Sequence, residues 1–163
     1  MKNILIFSLQ LIGFNFCVYA QNDFKPQHFT VLGTSNGMKL LKQCSRSSPD
    51  SVSGFWVVTQ FDINLLENNF KKILALEAVK CCMTGSKIVS LKTYCFQYIG
   101  VIINNKKYIY INAFYIDEDA LDTYLNKWKT EPVIICDGGI GEWGALFDIQ
   151  EKSVSQLCIN GIG

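Results

Sequence analysis

Histidine is almost missing from this chain: His28 is the single one among 163 residues. Zinc sites built on imidazole and Cys–His nucleophile pairs therefore have one donor to draw on. No Cys-X-X-Cys occurs, which removes the usual redox and zinc-finger spacings. Every Asn fails the Asn-X-Ser/Thr test, so nothing points to a glycan-bearing exterior. Net charge is nearly absent too, +1 at pH 7. The basic residues are scattered, and pairs such as Lys71-Lys72 and Lys106-Lys107 read as solvated positions, so no nucleic-acid partner is expected. A membrane-spanning helix needs about 18 or more uninterrupted apolar residues. Gln10 and Asn15 break the apolar stretch at the N-terminus before it reaches that length.

What that N-terminus does have is Lys2, a mostly apolar Ile4–Phe16, and Val18-Tyr19-Ala20, the pattern of a secretory signal peptide. Cleavage after Ala20 is expected, leaving no stable membrane span and a secreted or periplasmic protein. Lipid attachment at Cys17 is not expected, because Phe14-Asn15-Phe16 is bulky where small residues are required. Cys44, Cys81, Cys82, Cys95, Cys136 and Cys158 remain after cleavage, an even set of disulfide candidates whose connectivity the sequence leaves open. Cys81 and Cys82 should not bridge each other, since neighbouring Cα atoms lie about 3.8 Å apart and a bridge wants about 4.4–6.8 Å. No metal and no cofactor is expected.

Residues 21–53 read as a polar N-terminal segment with one short element around Met38–Cys44, and 54–163 as a single α+β domain. Phe55–Gln60 is apolar and β-branched, a short strand or an extended lead-in. Asn64 and Glu67 have the spacing of a helix cap, predicting a helix from Leu65 to near Cys81 with Leu66, Phe70, Ile73, Leu74 and Ala78 on one face. Thr93–Val101 and Tyr108–Ile116 form a hairpin through Asn104-Asn105, with Tyr98 opposite Ile111 and Ile99 opposite Tyr110. A short helix is predicted over Asp117–Trp128, its leading acids lacking the twelve-residue calcium pattern. Val133–Cys136 reads as a strand, and Gly144–Ile149 with Val154–Ile159 as a hairpin turned at Gln150-Glu151-Lys152. The expected architecture is an antiparallel sheet of about five strands against one long and one short helix.

Cys136-Asp-Gly-Gly-Ile-Gly-Glu-Trp-Gly144 is the most unusual stretch. Its glycines would let backbone amides approach an anion, making Gly138, Gly139 and Trp143 ligand-binding candidates. A strand pattern follows where a phosphate loop needs a helix, so a turn or bulge is the expected form. Asp137, Glu142 and Asp148 would serve acid/base hydrolysis if two of them faced one cleft. Nucleophilic catalysis is not expected, since a Cys–His pair would have to recruit His28. At Cys136-Asp137-Gly138-Gly139, Trp143-Gly144, Phe147-Asp148 and Asn160-Gly161, about the last fifth of the chain, the sequence resembles a C-terminal signature of small exported bacterial proteins of unknown function. That resemblance implies a bacterial envelope setting and no particular activity. The sequence reading is an exported binding or interaction protein whose partner is an unidentified protein or small ligand. The alternatives are a small hydrolase using Asp137, Glu142 or Asp148, and a structural envelope protein pairing through its final strand.

Overall fold

The computed structural model describes residues 24–79, 87–115 and 127–163. The leader, Cys81, Cys82 and most of the acidic helix predicted over Asp117–Trp128 lie outside them. The described chain is an α+β fold on one six-stranded sheet. Its centre is the Asn104-Asn105 hairpin: β3 (Tyr94–Ile103) pairs with β4 (Lys106–Tyr115), with Tyr98 against Ile111 and Ile99 against Tyr110. Both turn residues have positive φ, 50° and 62°, the backbone that lets a two-residue turn follow the twist of its strands. β5 (Glu142–Asp148) adds to β4 and β6 (Ser153–Ile159) to β5, all antiparallel.

The far edge of β3 differs from expectation. Two strands share it: β1 (His28–Val31) runs parallel along Cys95–Tyr98, and β2 (Val52–Trp56) runs antiparallel along Gly100–Ile103. The sheet thus has six strands instead of about five, and the polar N-terminal segment supplies part of it. At Gly100 the approach is close, because an added Cβ would strike the Trp56 carbonyl and indole. Gly100→Ala is expected to destabilise by about 1–3 kcal/mol through overpacking, measured as a lowered denaturant midpoint with unchanged slope.

One face of the sheet carries Phe96, Tyr98, Ile111, Ala113, Trp143 and Phe147, packed with Ile63, Leu66, Phe70 and Ile73. The long helix expected from Leu65 to near Cys81 is not there. Instead α2 (Gln60–Glu67) starts earlier, because Thr59 and Asp62 form a reciprocal capping box and Val58 and Ile63, both buried, bracket it as a hydrophobic staple. It stops at Asn68, since the Asn69 side chain donates to the Leu65 carbonyl (2.8 Å) and Asn69 itself leaves helical φ. A 3₁₀ helix, Phe70–Ala75, then carries Phe70 and Ile73 into the same core. The amphipathic pattern was legible; the break in its middle comes from one amide.

The opposite face is covered by mostly irregular chain. Residues 32–48, including the single-turn α1 (Gly37–Leu40), bury Leu32 and Leu40 against Ile99, Val101, Tyr110 and Leu146. Trp128 and Val133 pack on Cys95 and Phe114. Val133–Cys136, expected as a strand, joins no ladder. Its backbone is satisfied from below: Val133 N–H donates to Gln97 Oε1 (2.9 Å), its carbonyl accepts from Asn112 (3.0 Å), and the Ile135 carbonyl accepts from Asn160 (2.7 Å). Cys44 and Cys136 form a disulfide, Cα atoms 5.3 Å apart, that ties the two covering segments together. On the last strand, Gln156 sits at φ 51° beside a register shift, and the Leu157 carbonyl accepts from Val79 N–H at 2.8 Å. Bulge and cover both blunt the edge that strand addition would need.

Candidate functional site

The strongest concentration of polar chemistry lies beneath the disulfide, on the face covered by irregular chain. Gln97 of β3 stands directly opposite Asn112 of β4, and Asn112 opposite Gly144 of β5. Because side chains alternate along a strand, Tyr110 shares the face of Asn112 and Glu142 that of Gly144. Into the gap over Gly144 comes Arg46, 6% exposed. Its guanidinium donates to Asn160 Oδ1 (2.7 Å), to Asn112 Oδ1 and, at 3.4 Å from both Nε and Nη2, to the Tyr110 hydroxyl. Gly144 is required: a Cβ there would lie 2.5 Å from Tyr110 Oη and 3.1 Å from Arg46 Nε.

From the arginine, hydrogen bonds run outward through amides. Asn112 donates to Gln97 Oε1 (3.0 Å), and Gln97 donates to the carbonyls of Trp128 (2.6 Å) and Glu131 (2.7 Å). Asn160 donates to the carbonyls of Ile135 and Asp137 (2.7 and 2.8 Å). Gln97 and Asn112 each bond both across the sheet and to the covering chain, and Asn160 links the two covering segments, Arg46 on one and Ile135 and Asp137 on the other. Buried amides in such a row must be matched, since each unmatched group costs about 1–3 kcal/mol.

Glu142, also 6% exposed, belongs to this layer. Burial raises its carboxyl from 4.5 to about 8, against opposing pulls from the Arg46 charge and the Tyr115 backbone N–H. It therefore stays largely protonated near pH 7. Asp148 stands apart from it, buried at the far end of the same strand, six residues on, which is about 20 Å by strand rise. Its Oδ1 accepts from the backbones of Gln150 (2.8 Å) and Glu151 (2.9 Å) and holds the β5–β6 turn. Asp137 is exposed at φ 72°, the left-handed backbone of a turn.

The glycine stretch is a turn fixed on all sides. Gly138 and Gly139 have φ 88° and 54°, followed by a 3₁₀ turn at Gly139–Gly141. Three of its amides are spent within the protein: Asp137 N–H on Ser45 Oγ, Gly139 N–H on the Gly161 carbonyl, Gly141 N–H on that of Gly138. Trp143 is fully buried, edge-on to Tyr94 and Phe96, and turns no face to solvent. What the turn does present is Ile140. The neighbours of this turn, Tyr115 beside Gly141 and Ile162 beside Gly139, are exposed as well. Exposures are 45% for Ile140, 55% for Tyr115 and 72% for Ile162. The Tyr94 hydroxyl braces the turn by donating to the Ile140 carbonyl at 2.7 Å.

One serine of the chain carries the spacing of a nucleophile. Gly33-Thr34-Ser35-Asn36-Gly37 has the Gly-X-Ser-X-Gly spacing of a nucleophile elbow and follows a strand. The elbow requires a sharply strained serine, whereas Thr34–Asn36 is a 3₁₀ turn and Ser35 has no positive φ. Ser35 is exposed on that turn, with no histidine but His28 in the chain to activate it. Among the described residues no group of three or more His, Cys, Asp or Glu is placed to hold a metal ion, and no helix is long and apolar enough to cross a membrane. Cys95 and Cys158 are buried in β3 and β6.

No protein family matches this chain, and neither a curated protein nor a solved structure matches it.

Proposed function

We propose that the chain is a small exported binding protein of a bacterial envelope, with residues 1–20 as its leader, and that it recognises a partner protein through the apolar rim of the glycine turn. The observation that carries this reading is the exposure of Ile140, Tyr115 and Ile162 around a turn held rigid by Tyr94, Ser45 and Gly161. Apolar side chains on a fixed base cost little ordering entropy on binding, which favours recognition. The Cys44–Cys136 bond supports maturation in an oxidising compartment. Hydrolysis by Asp137, Glu142 and Asp148 draws less support, because Glu142 and Asp148 stand about 20 Å apart along one strand.

The test is paired capture from envelope extract by the mature chain and by Ile140→Asp, which puts a charge in the middle of the rim while leaving the buried layer intact. A specific partner retained by the natural chain should fall by about tenfold or more with the variant, the loss of one central apolar anchor. Equal retention by both, or a partner lost only from variants outside the rim, would discard this surface.

A further inference from the structure

Both half-cystines of the Cys44–Cys136 bond are exposed, while Cys95 and Cys158 are buried. The bond joins residues 92 apart in sequence. It does so where two segments with little regular structure meet over a charged, buried layer. Ser45 and Arg46 follow Cys44 directly, and Asp137 follows Cys136. Without the bond these segments would hold each other through Asp137 N–H on Ser45 Oγ (2.9 Å), with the Asn160 amide reaching Ile135 and Asp137, and Gly161 N–H reaching the Ser45 carbonyl (3.0 Å). Those bonds compete with water once the segments part. The backbone ladder of β3 and β4 and the core on the opposite face use none of these bonds, while Arg46 and Val133 reach the Tyr110, Asn112 and Gln97 side chains of those strands.

We propose that the Cys44–Cys136 disulfide is a redox latch, opened by a dithiol reductant, whose release lets residues 44–48 and 133–139 lift from the sheet and opens the Arg46–Asn112–Gln97 row to solvent. The reductant's thiolate attacks one sulfur of the bond, giving a mixed disulfide and freeing the other cysteine, which takes up a proton. The reductant's second thiol then displaces the bound sulfur. Two electrons pass to the protein, Cys44 and Cys136 end as thiols, and the reductant ends as its own disulfide. Intramolecular hydrogen bonds such as those of Ser45 gain from the high effective concentration the covalent tie imposes, and lose it when the tie is cut.

The experiment uses the full mature chain under native buffer, oxidised and after treatment with dithiothreitol or a thioredoxin-class dithiol, followed by peptide-level hydrogen exchange and alkylation mapping at Cys44 and Cys136. The expected result is alkylation of both cysteines without denaturant, and exchange in 133–139 accelerated by at least about tenfold while 96–101 and 109–113 stay protected. Reoxidation should restore the slow exchange. Three results would each overturn the latch: a bond that yields only in denaturant, unchanged exchange after complete reduction, or loss of protection throughout the β3–β4 hairpin, which would make the bond a staple of the whole fold. Cys44→Ser/Cys136→Ser should reproduce the reduced pattern with no reagent present. Should that variant fail to fold, the natural chain's reduced pattern still decides.

Discussion

Replacing Arg46 by Leu is expected to cost about 3–5 kcal/mol of stability, the largest loss of any single substitution considered for this chain. The guanidinium fills the space over Gly144 and donates to Tyr110, Asn112 and Asn160. Leucine recovers part of the apolar contact but leaves two amide oxygens and a phenol facing an alkyl group. Those unmatched acceptors, more than the lost charge, set the penalty. Urea unfolding followed by tryptophan fluorescence measures it. Arg46→Lys should fall between, because an ammonium on a flexible stem cannot reproduce the guanidinium fork that reaches three side chains. A loss below about 1 kcal/mol for the leucine variant would mean that the row is ornamental to stability.

Stability should fall as pH rises from about 4.5 to about 8, with Glu142 as the cause. Its carboxyl is raised in the folded chain to about 8 from 4.5. Across that window the native state keeps a proton that the unfolded state has released. More protons on the native side means stability declines with pH, by up to about 1.4 kcal/mol per unit from this one group, and levels off above the folded value. Glu142→Gln keeps the size and the acceptor for the Tyr115 N–H and removes the titration. That variant should match the natural chain near pH 4.5, exceed it by a few kcal/mol near pH 8, and lose the slope between. Unfolding midpoints at four or five pH values suffice; an unchanged slope in the variant would assign the pH dependence to other groups.

What could be read from sequence was whatever local chemistry decides. The Asn104-Asn105 turn fixes its own register, and with it ten pairs of the central hairpin. The helical stripe through Leu66, Phe70 and Ile73 correctly marks the residues that reach the core. Its starting point was misplaced because Asp62 serves where Glu or Gln is the familiar reciprocal partner, so Thr59 drew no notice beside Asn64. Val133–Cys136 has strand composition, yet its backbone is claimed by amides rising from β3, β4 and the end of β6. The Arg46 layer joins residues 64, 66 and 114 positions apart, and no window of sequence contains it. One clue was available. The predicted register sets Gln97 against Asn112 in the middle of two strands that are otherwise apolar on both faces, and a polar pair there has to be answered by something. Asp137, Glu142 and Asp148 looked equivalent in sequence; burial makes one a titrating group, one a turn fastener and one a surface residue.

The shared edge of β3 carries a consequence for how this molecule is assembled. His28–Val31 pairs with Cys95–Tyr98 in parallel, so this first of the described strands has its sheet neighbour only once the hairpin that follows it has been synthesised. Such long-range closure is entropically slow. A chain emerging N-terminus first therefore carries an unpaired strand through much of its synthesis, and a chaperone that shields residues 28–31 would speed recovery of native protein more than one acting on the self-sufficient hairpin.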